Sequence, residues 1–155
     1  MGKGGLSFNN FKQLQKQIES ISAEDLQEFN VSAVKALASR LLAKAKKRTP
    51  VNKKIPGDIN YTGGGNLRRS WTIGEVTKEG NVYCIDVVNT AVYASYVEKG
   101  HRGVYIPKLG VTMHTDTHFT EGVFMLKISE AELKENAEKI LGMKLTKFLK
   151  NKVKL

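Results

Sequence analysis

The chain has 155 residues, 41% of them apolar, and carries 25 lysines and arginines against 15 aspartates and glutamates, a formal charge of +10. This length supports one compact domain, 1–155, with a modest core, and argues against a second. Its apolar runs fall far short of the roughly 20 residues a membrane helix needs, its one cysteine excludes an internal disulfide and a cysteine-based zinc cluster, and its positive charge suits an acidic partner, nucleic acid or protein.

Met1 to Phe8 lacks the continuous apolar stretch of a secretory signal, so synthesis and retention in a cytoplasm are expected. Phe8, Phe11, Leu14, Ile18 and Ile21 then recur at three- and four-residue intervals, which predicts a short helix within an N-terminal extension, 1–22. Ser22 with Asp25 forms a capping-box pattern that restarts the helical path near Ala23. The second helix runs through Leu26, Phe29, Val34, Leu37, Leu41, Leu42 and Ala45, with Lys44, Lys46, Lys47 and Arg48 gathered at its end. Cations there complement the helix dipole, by about 0.3 to 1 kcal/mol each at an exposed site. Pro50 removes a donor and disfavours helical dihedrals at Thr49, so the helix stops at about Arg48.

Val51 to Asn66 contains Pro56, Gly57, Asp58 and the triplet Gly63 to Gly65, and is expected to be a mobile glycine-rich loop over 51–66. Strand-forming residues follow: Trp71, Ile73 and Val76, then Val82, Tyr83, Ile85, Val87 and Val88. They predict an antiparallel hairpin turning at Lys78 to Asn81, with Cys84 in a buried, small apolar role. Tyr93, Tyr96 and Val97 suggest a short helix in Ala91 to Lys99, stopped by Gly100. Further strands are expected at Val104 to Ile106 and Phe119 to Ile128, with the polar stretch Thr112 to Thr120 between them. Ser129 with Glu132 reads as a second capping box opening a C-terminal helix through Leu133, Ile140, Leu141, Leu145 and Leu149. Its lysine-rich side is read as a solvated face. The fold class expected is α+β: a small antiparallel-rich β-sheet packed against the long helix of the N-terminal half and the C-terminal helix.

Candidates for catalysis are few. His114, Asp116 and His118 would share one face of an extended strand and so suit a divalent metal, but a solvated loop or strand explains them more simply. Gly63 to Gly65 lacks the Gly-Lys-Ser/Thr ending of a phosphate loop. Glu98, His101 and Arg102 are better read as surface or interface charges than as an acid and base pair. No catalytic, metal-binding or cofactor-binding residue is assigned, and no cofactor is expected.

One ordered pattern is distinctive. A basic amphipathic helix runs into Lys47, Arg48, Thr49, Pro50 and Val51, and a loop then reaches Thr62, Gly63, Asn66, Leu67, Arg68, Arg69, Ser70 and Trp71. The strand pair and Asn89 follow, then Tyr93, Ala94, Tyr96, Val97, Glu98, Lys99, Gly100, His101 and Arg102. This order resembles a family of tailed-bacteriophage proteins that includes minor tail components, tail-completion proteins and head-tail joining or neck proteins. It covers roughly Val34 to Arg102 plus the closing helix. The loop Asn52 to Tyr61 is longer here than is usual in that family, and Gly103 to Thr120 matches it only loosely.

The resemblance implies a non-enzymatic structural subunit that forms a ring, commonly sixfold, in the virion tail or neck after assembly in the host cytoplasm. Its partners would be further copies of itself, the tail-tube protein and a head-connector or stopper protein, with no membrane. Arg68, Arg69, Trp71, Tyr93, Tyr96, Glu98, His101 and Arg102 are the candidates for assembly contacts. The alternative is a basic nucleic-acid-binding accessory protein making nonspecific contact with DNA.

Overall fold

The computed structural model describes residues 8–51, 64–106, 111–113 and 119–153. Helices α1 (Phe8–Glu19) and α2 (Ala23–Arg48) come first, then a short α3 (Asn66–Arg69) and the strands β1 (Trp71–Glu79) and β2 (Val82–Asn89). The chain continues through α4 (Ala94–Lys99), β3 (Gly100–Arg102), β4 (Val104–Ile106), β5 (Val111–Met113) and β6 (Phe119–Glu121), and closes with α5 (Met125–Lys152). The architecture is α+β. Among the described residues, no helix is long and apolar enough to cross a membrane.

α2 begins and ends where its sequence signals lie. The Ser22 hydroxyl accepts from the Asp25 backbone N–H at 3.1 Å, and the Asp25 carboxylate accepts from the Ser22 backbone N–H at 3.2 Å. The capping box is therefore complete, satisfying two donors that the first turn would otherwise leave unpaired. At the far end Thr49 is extended, and its N–H donates to the carbonyls of Ala45 and Lys46. The buried positions of α2 are alanines, Ala33, Ala38 and Ala45, small enough to let neighbouring elements approach closely.

α5 packs antiparallel along α2. Phe29 and Phe148 meet in a tilted ring contact with centroids 5.0 Å apart. Lys152 pairs with Asp25 at 2.6 Å at one end, and Lys44 and Arg48 both pair with Glu132 toward the other. The β1–β2 hairpin lies against α2 as well. Its two-residue turn is Gly80–Asn81, with Gly80 at φ +59°. On β2 the half-buried residues are Tyr83, Ile85, Val87 and Asn89. On β1 a register shift between Ile73 and Val76 keeps Trp71, Ile73 and Val76 inward, because one extra residue in a strand restores the face that a simple alternation would lose. Ala45, Leu67, Trp71 and Met125 form the core where α2, α3, β1 and α5 meet, with Leu42, Val87, Ala94, Val97 and Leu126 against it.

Three expectations need correction. Cys84 is exposed, since the alternation that turns Tyr83 and Ile85 inward turns Cys84 outward. The strand expected through Ile128 ends at Glu121, and the closing helix starts at Met125 rather than at Ser129. Ser129 and Glu132 make no capping box. Ser129 is fully buried inside the helix, its hydroxyl donating to the Met125 carbonyl at 2.6 Å, while Glu132 reaches across to α2. The expected α+β class with small antiparallel β structure beside the two long helices is present, the described strands pairing β1 with β2, β3 with β6 and β4 with β5. Most of the expected mobile loop over 51–66 and all of His114, Asp116 and His118 lie outside the described residues.

Candidate assembly surface

The residues singled out by the sequence pattern fall into three groups. The first surrounds Thr49, the residue that ends α2. Its hydroxyl donates to the Ala45 carbonyl at 2.7 Å and accepts from the Trp71 indole Nε1 at 2.7 Å. Its carbonyl accepts from Arg68 Nη2 at 2.7 Å. Thr49 is 1% exposed and Trp71 5% exposed, so these bonds replace water at buried polar atoms that would otherwise be left without partners. Asn89 extends the brace: its Nδ2 donates to the Leu67 carbonyl at 2.8 Å and its Oδ1 accepts from the Ala91 N–H at 3.0 Å. Arg69 donates to the Gly64 carbonyl at 3.2 Å. The Thr-Pro corner, the Arg-Arg-Ser-Trp segment and the asparagine that ends β2 are thus tied together inside one chain.

The second group is centred on Glu98 of α4. Its carboxylate accepts from the N–H groups of Leu126, at 3.0 and 3.2 Å, and of Lys127, at 3.0 Å. These are unpaired donors of the first turn of α5, and a negative charge there also faces the positive end of the helix dipole. The main chain adds two bonds, Val123 N–H to the Val97 carbonyl and Phe124 N–H to the Glu98 carbonyl. Phe124, the residue before α5, takes a left-handed conformation at φ +51°. Glycines allow this close approach: a side chain on Gly122 would collide with the Glu98 carbonyl, and one on Gly100 with the Thr120 carbonyl.

The third group faces solvent. Val92 is 93% exposed, Tyr93 43%, Tyr96 57% and Phe119 59%. Tyr96 meets His101 edge to face with centroids 6.1 Å apart. His101 pairs with Thr120 and Arg102 with Phe119 along β3–β6, and the Phe119 ring reaches over Gly100. The Tyr93 hydroxyl accepts from Asn66 Nδ2 at 3.3 Å. Exposed aromatics gathered beside His101 and Arg102 are the composition of a protein interface. Among the described residues no cluster of histidine, cysteine, aspartate and glutamate could hold a metal ion.

Of the eight expected contact residues, Trp71 is buried, Arg68, Arg69 and Glu98 are engaged within the chain, Tyr93 is exposed but bonded to Asn66, Tyr96 meets His101, and Arg102 is exposed on β3. Sequence reasoning gave Thr49 the end of a helix and a place in the family pattern, Asn89 a place in that pattern and Phe119 the start of a strand, and made none of them a contact residue. The Thr-Pro pair carried a signal for the first, because a threonine ending a helix beside a tryptophan-bearing strand can hydrogen-bond the indole. Nothing local marked the exposure of Phe119.

A family model described as "Bacteriophage HK97-gp10, putative tail-component" matches residues 12–100, more than half of the chain. No curated protein and no solved structure matches it.

Proposed function

The chain belongs to the HK97-gp10-like family of bacteriophage tail components, and on that footing we propose that it completes or terminates the tail and joins it to the head connector as one subunit of a ring. The family places the protein among the structural components of the virion tail. The observation that carries the finer reading is the exposed Tyr96 ring against His101, with the exposed Phe119 ring on the neighbouring β3–β6 pair and Val92 and Tyr93 also exposed before α4. A subunit that works by geometry needs a rigid body and an uncovered interface. Here the Thr49 brace and the Glu98 cap supply the rigidity. Its partners would be neighbouring copies, with the tail-tube protein on one side and a head-connector or stopper protein on the other. Arg69 and Arg102, both exposed, would add polar contacts at the rim.

The test is electron microscopy of particles made after deletion of the gene. Filled heads without joined tails, or tails of abnormal length, are expected; normal particles would overturn the reading.

A second reading rests on one feature of α5. From Lys139 onward the chain carries Lys139, Lys144, Lys147, Lys150, Lys152 and Lys154 and no acidic residue. A basic tract of this kind suits nonspecific contact with DNA. Affinity should then fall linearly with salt on logarithmic axes as counterions are released.

A further inference from the structure

The β1–β2 hairpin packs on α2 with one face only. Tyr83, Ile85 and Val87 are its half-buried residues on β2, so alternation turns Cys84, Asp86 and Val88 the other way, and these are exposed. Across the register Thr72 lies opposite Val88 and Thr77 opposite Cys84, and both threonines are exposed as well. Val88 is 46% exposed. Between Trp71 and Asn89 the charged residues are Glu75, Glu79, Asp86 and a single cation, Lys78. Lys78 lies over the half-buried Tyr83 ring, 5.3 Å from its centre, whereas the three carboxylates are exposed. In a chain of formal charge +10, the outer side of this hairpin is therefore negative.

The closing helix carries the opposite sign. Lys139, Met143, Lys147 and Lys150 follow one another at intervals of four, four and three residues, which sets them on one side of α5. All are exposed, Met143 at 57%, while Ile140, Lys144, Phe148 and Leu149 on the other side are partly covered. No acidic residue occurs from Lys139 onward. Among the described residues, the ion pairs of α5 use Glu130, Glu132, Lys134 and Lys152. They engage neither Lys139, Lys147 and Lys150 nor the three hairpin carboxylates.

We propose that the Lys139–Met143–Lys147–Lys150 side of α5 in one copy docks on the outer face of the β1–β2 hairpin in the next copy. Met143 and Val88 supply the apolar centre, and the lysines face Glu75, Glu79 and Asp86 around it. Charge decides the occupant. Two hairpin faces repel each other, as do two α5 faces, so of the possible pairings between copies only sheet on helix is attractive. A contact between two different surfaces of identical subunits is head-to-tail, the kind that closes a ring. Duplex DNA would satisfy the lysines but would leave the exposed Met143 and the acidic hairpin without use. This inference rests on the ring-forming reading above and names one of its contacts.

The exposed Cys84 is a native probe at the centre of the hairpin face. The unaltered full-length chain is mixed with a mass-tagged full-length chain carrying Cys84→Ser and Met143→Cys, and the mixture is treated with a short thiol-specific crosslinker. The expected product joins the two kinds of chain, in excess over either like pair. It should weaken with added salt, be lost when the tagged chain also carries Lys147→Glu and Lys150→Glu, and return when the other chain then carries Glu75→Lys and Asp86→Lys. Absence of the mixed product, or a mixed product indifferent to the charge reversals, would overturn the docking. So would salt-sensitive binding of duplex DNA that the two lysine reversals abolish in the absence of any mixed product, which would give the helix face to nucleic acid. Rings seen by electron microscopy without the mixed product would sink this contact and leave the ring standing. Normal particles after gene deletion would sink the ring reading whatever the crosslinks.

Discussion

The Trp71 indole donates to the Thr49 hydroxyl at 2.7 Å, and the same hydroxyl donates onward to the Ala45 carbonyl at 2.7 Å. One buried side chain therefore closes the end of α2 and fixes the start of β1. Thr49→Val keeps the shape and removes the acceptor, leaving the indole N–H buried without a partner. The expected loss of stability is about 1 to 3 kcal/mol, read from urea unfolding. Trp71→Phe in the Thr49→Val background should add less than it does alone, because the donor and acceptor act as one unit. Strict additivity would show that the bond contributes nothing.

Glu98 does the corresponding work at the start of α5. Glu98→Ala removes the acceptor for the Leu126 and Lys127 N–H groups, and a loss of about 1 to 2 kcal/mol is expected from the missing cap. Glu98→Gln keeps an acceptor oxygen but not the charge facing the helix dipole, and should recover part of that loss. Hydrogen exchange gives the local check: amides of the first turn of α5 should open sooner in both variants. Unchanged exchange there would rule out a capping role.

Glu132 links α5 to α2 through Lys44 at 2.5 Å and through Arg48. The hydrogen bond from Lys44, with the nearby Arg48 charge, holds its carboxyl below the ordinary glutamate range. A carboxyl whose pKa is depressed by folding adds stability that is complete above its unfolded value and is lost as the pH falls through its folded value. Melting temperature should therefore drop on acidification below the ordinary glutamate pKa, and less steeply in Glu132→Gln. Asp25, held low first by Lys152 and then by the Ser22 backbone, acts in the same direction. Parallel curves for Glu132→Gln and the parent would remove Glu132 from the account.

Gly122 runs against the end of α4, where an added methyl would strike the Glu98 carbonyl and the backbone of Lys99 and Gly100. Overpacking of this kind typically costs about 1 to 3 kcal/mol. Gly122→Ala should be destabilising by that order, whereas Gly80→Ala, which meets no neighbour, should register only the strain of its positive φ. Equal effects from the two would mean that the contact with α4 is readily relaxed.

Much of the helical framework was legible in local chemistry. The Ser22 capping box, the alanine- and leucine-rich period of α2 and the Thr49-Pro50 stop each act within a few residues, so sequence fixes their positions. The hairpin was legible for the same reason, with Gly80 supplying its turn. The exposed Cys84 was not, because strand alternation leaves open which face is inward until α2 covers one of them. Ser129 and Glu132 carried the same serine-to-acid spacing as the capping box of Ser22 and Asp25. Their outcome differed because Glu98, distant in sequence, capped the helix a turn earlier and because Lys44 and Arg48 drew Glu132 toward α2.

By itself, then, the sequence determined the α+β class, the limits of α2, the hairpin and the ordered pattern of a tail-component family, all of which rest on short-range periodicity and backbone constraints. Tertiary structure alone decided which motif residues turn inward and which remain available. Arg68, Trp71 and Glu98 are spent on Thr49 and on α5, while Tyr93, Tyr96 and Phe119 remain exposed, with half-buried His101 against Tyr96. Those choices depend on burial and hydrogen-bond partners brought together from distant parts of the chain, which no local pattern encodes.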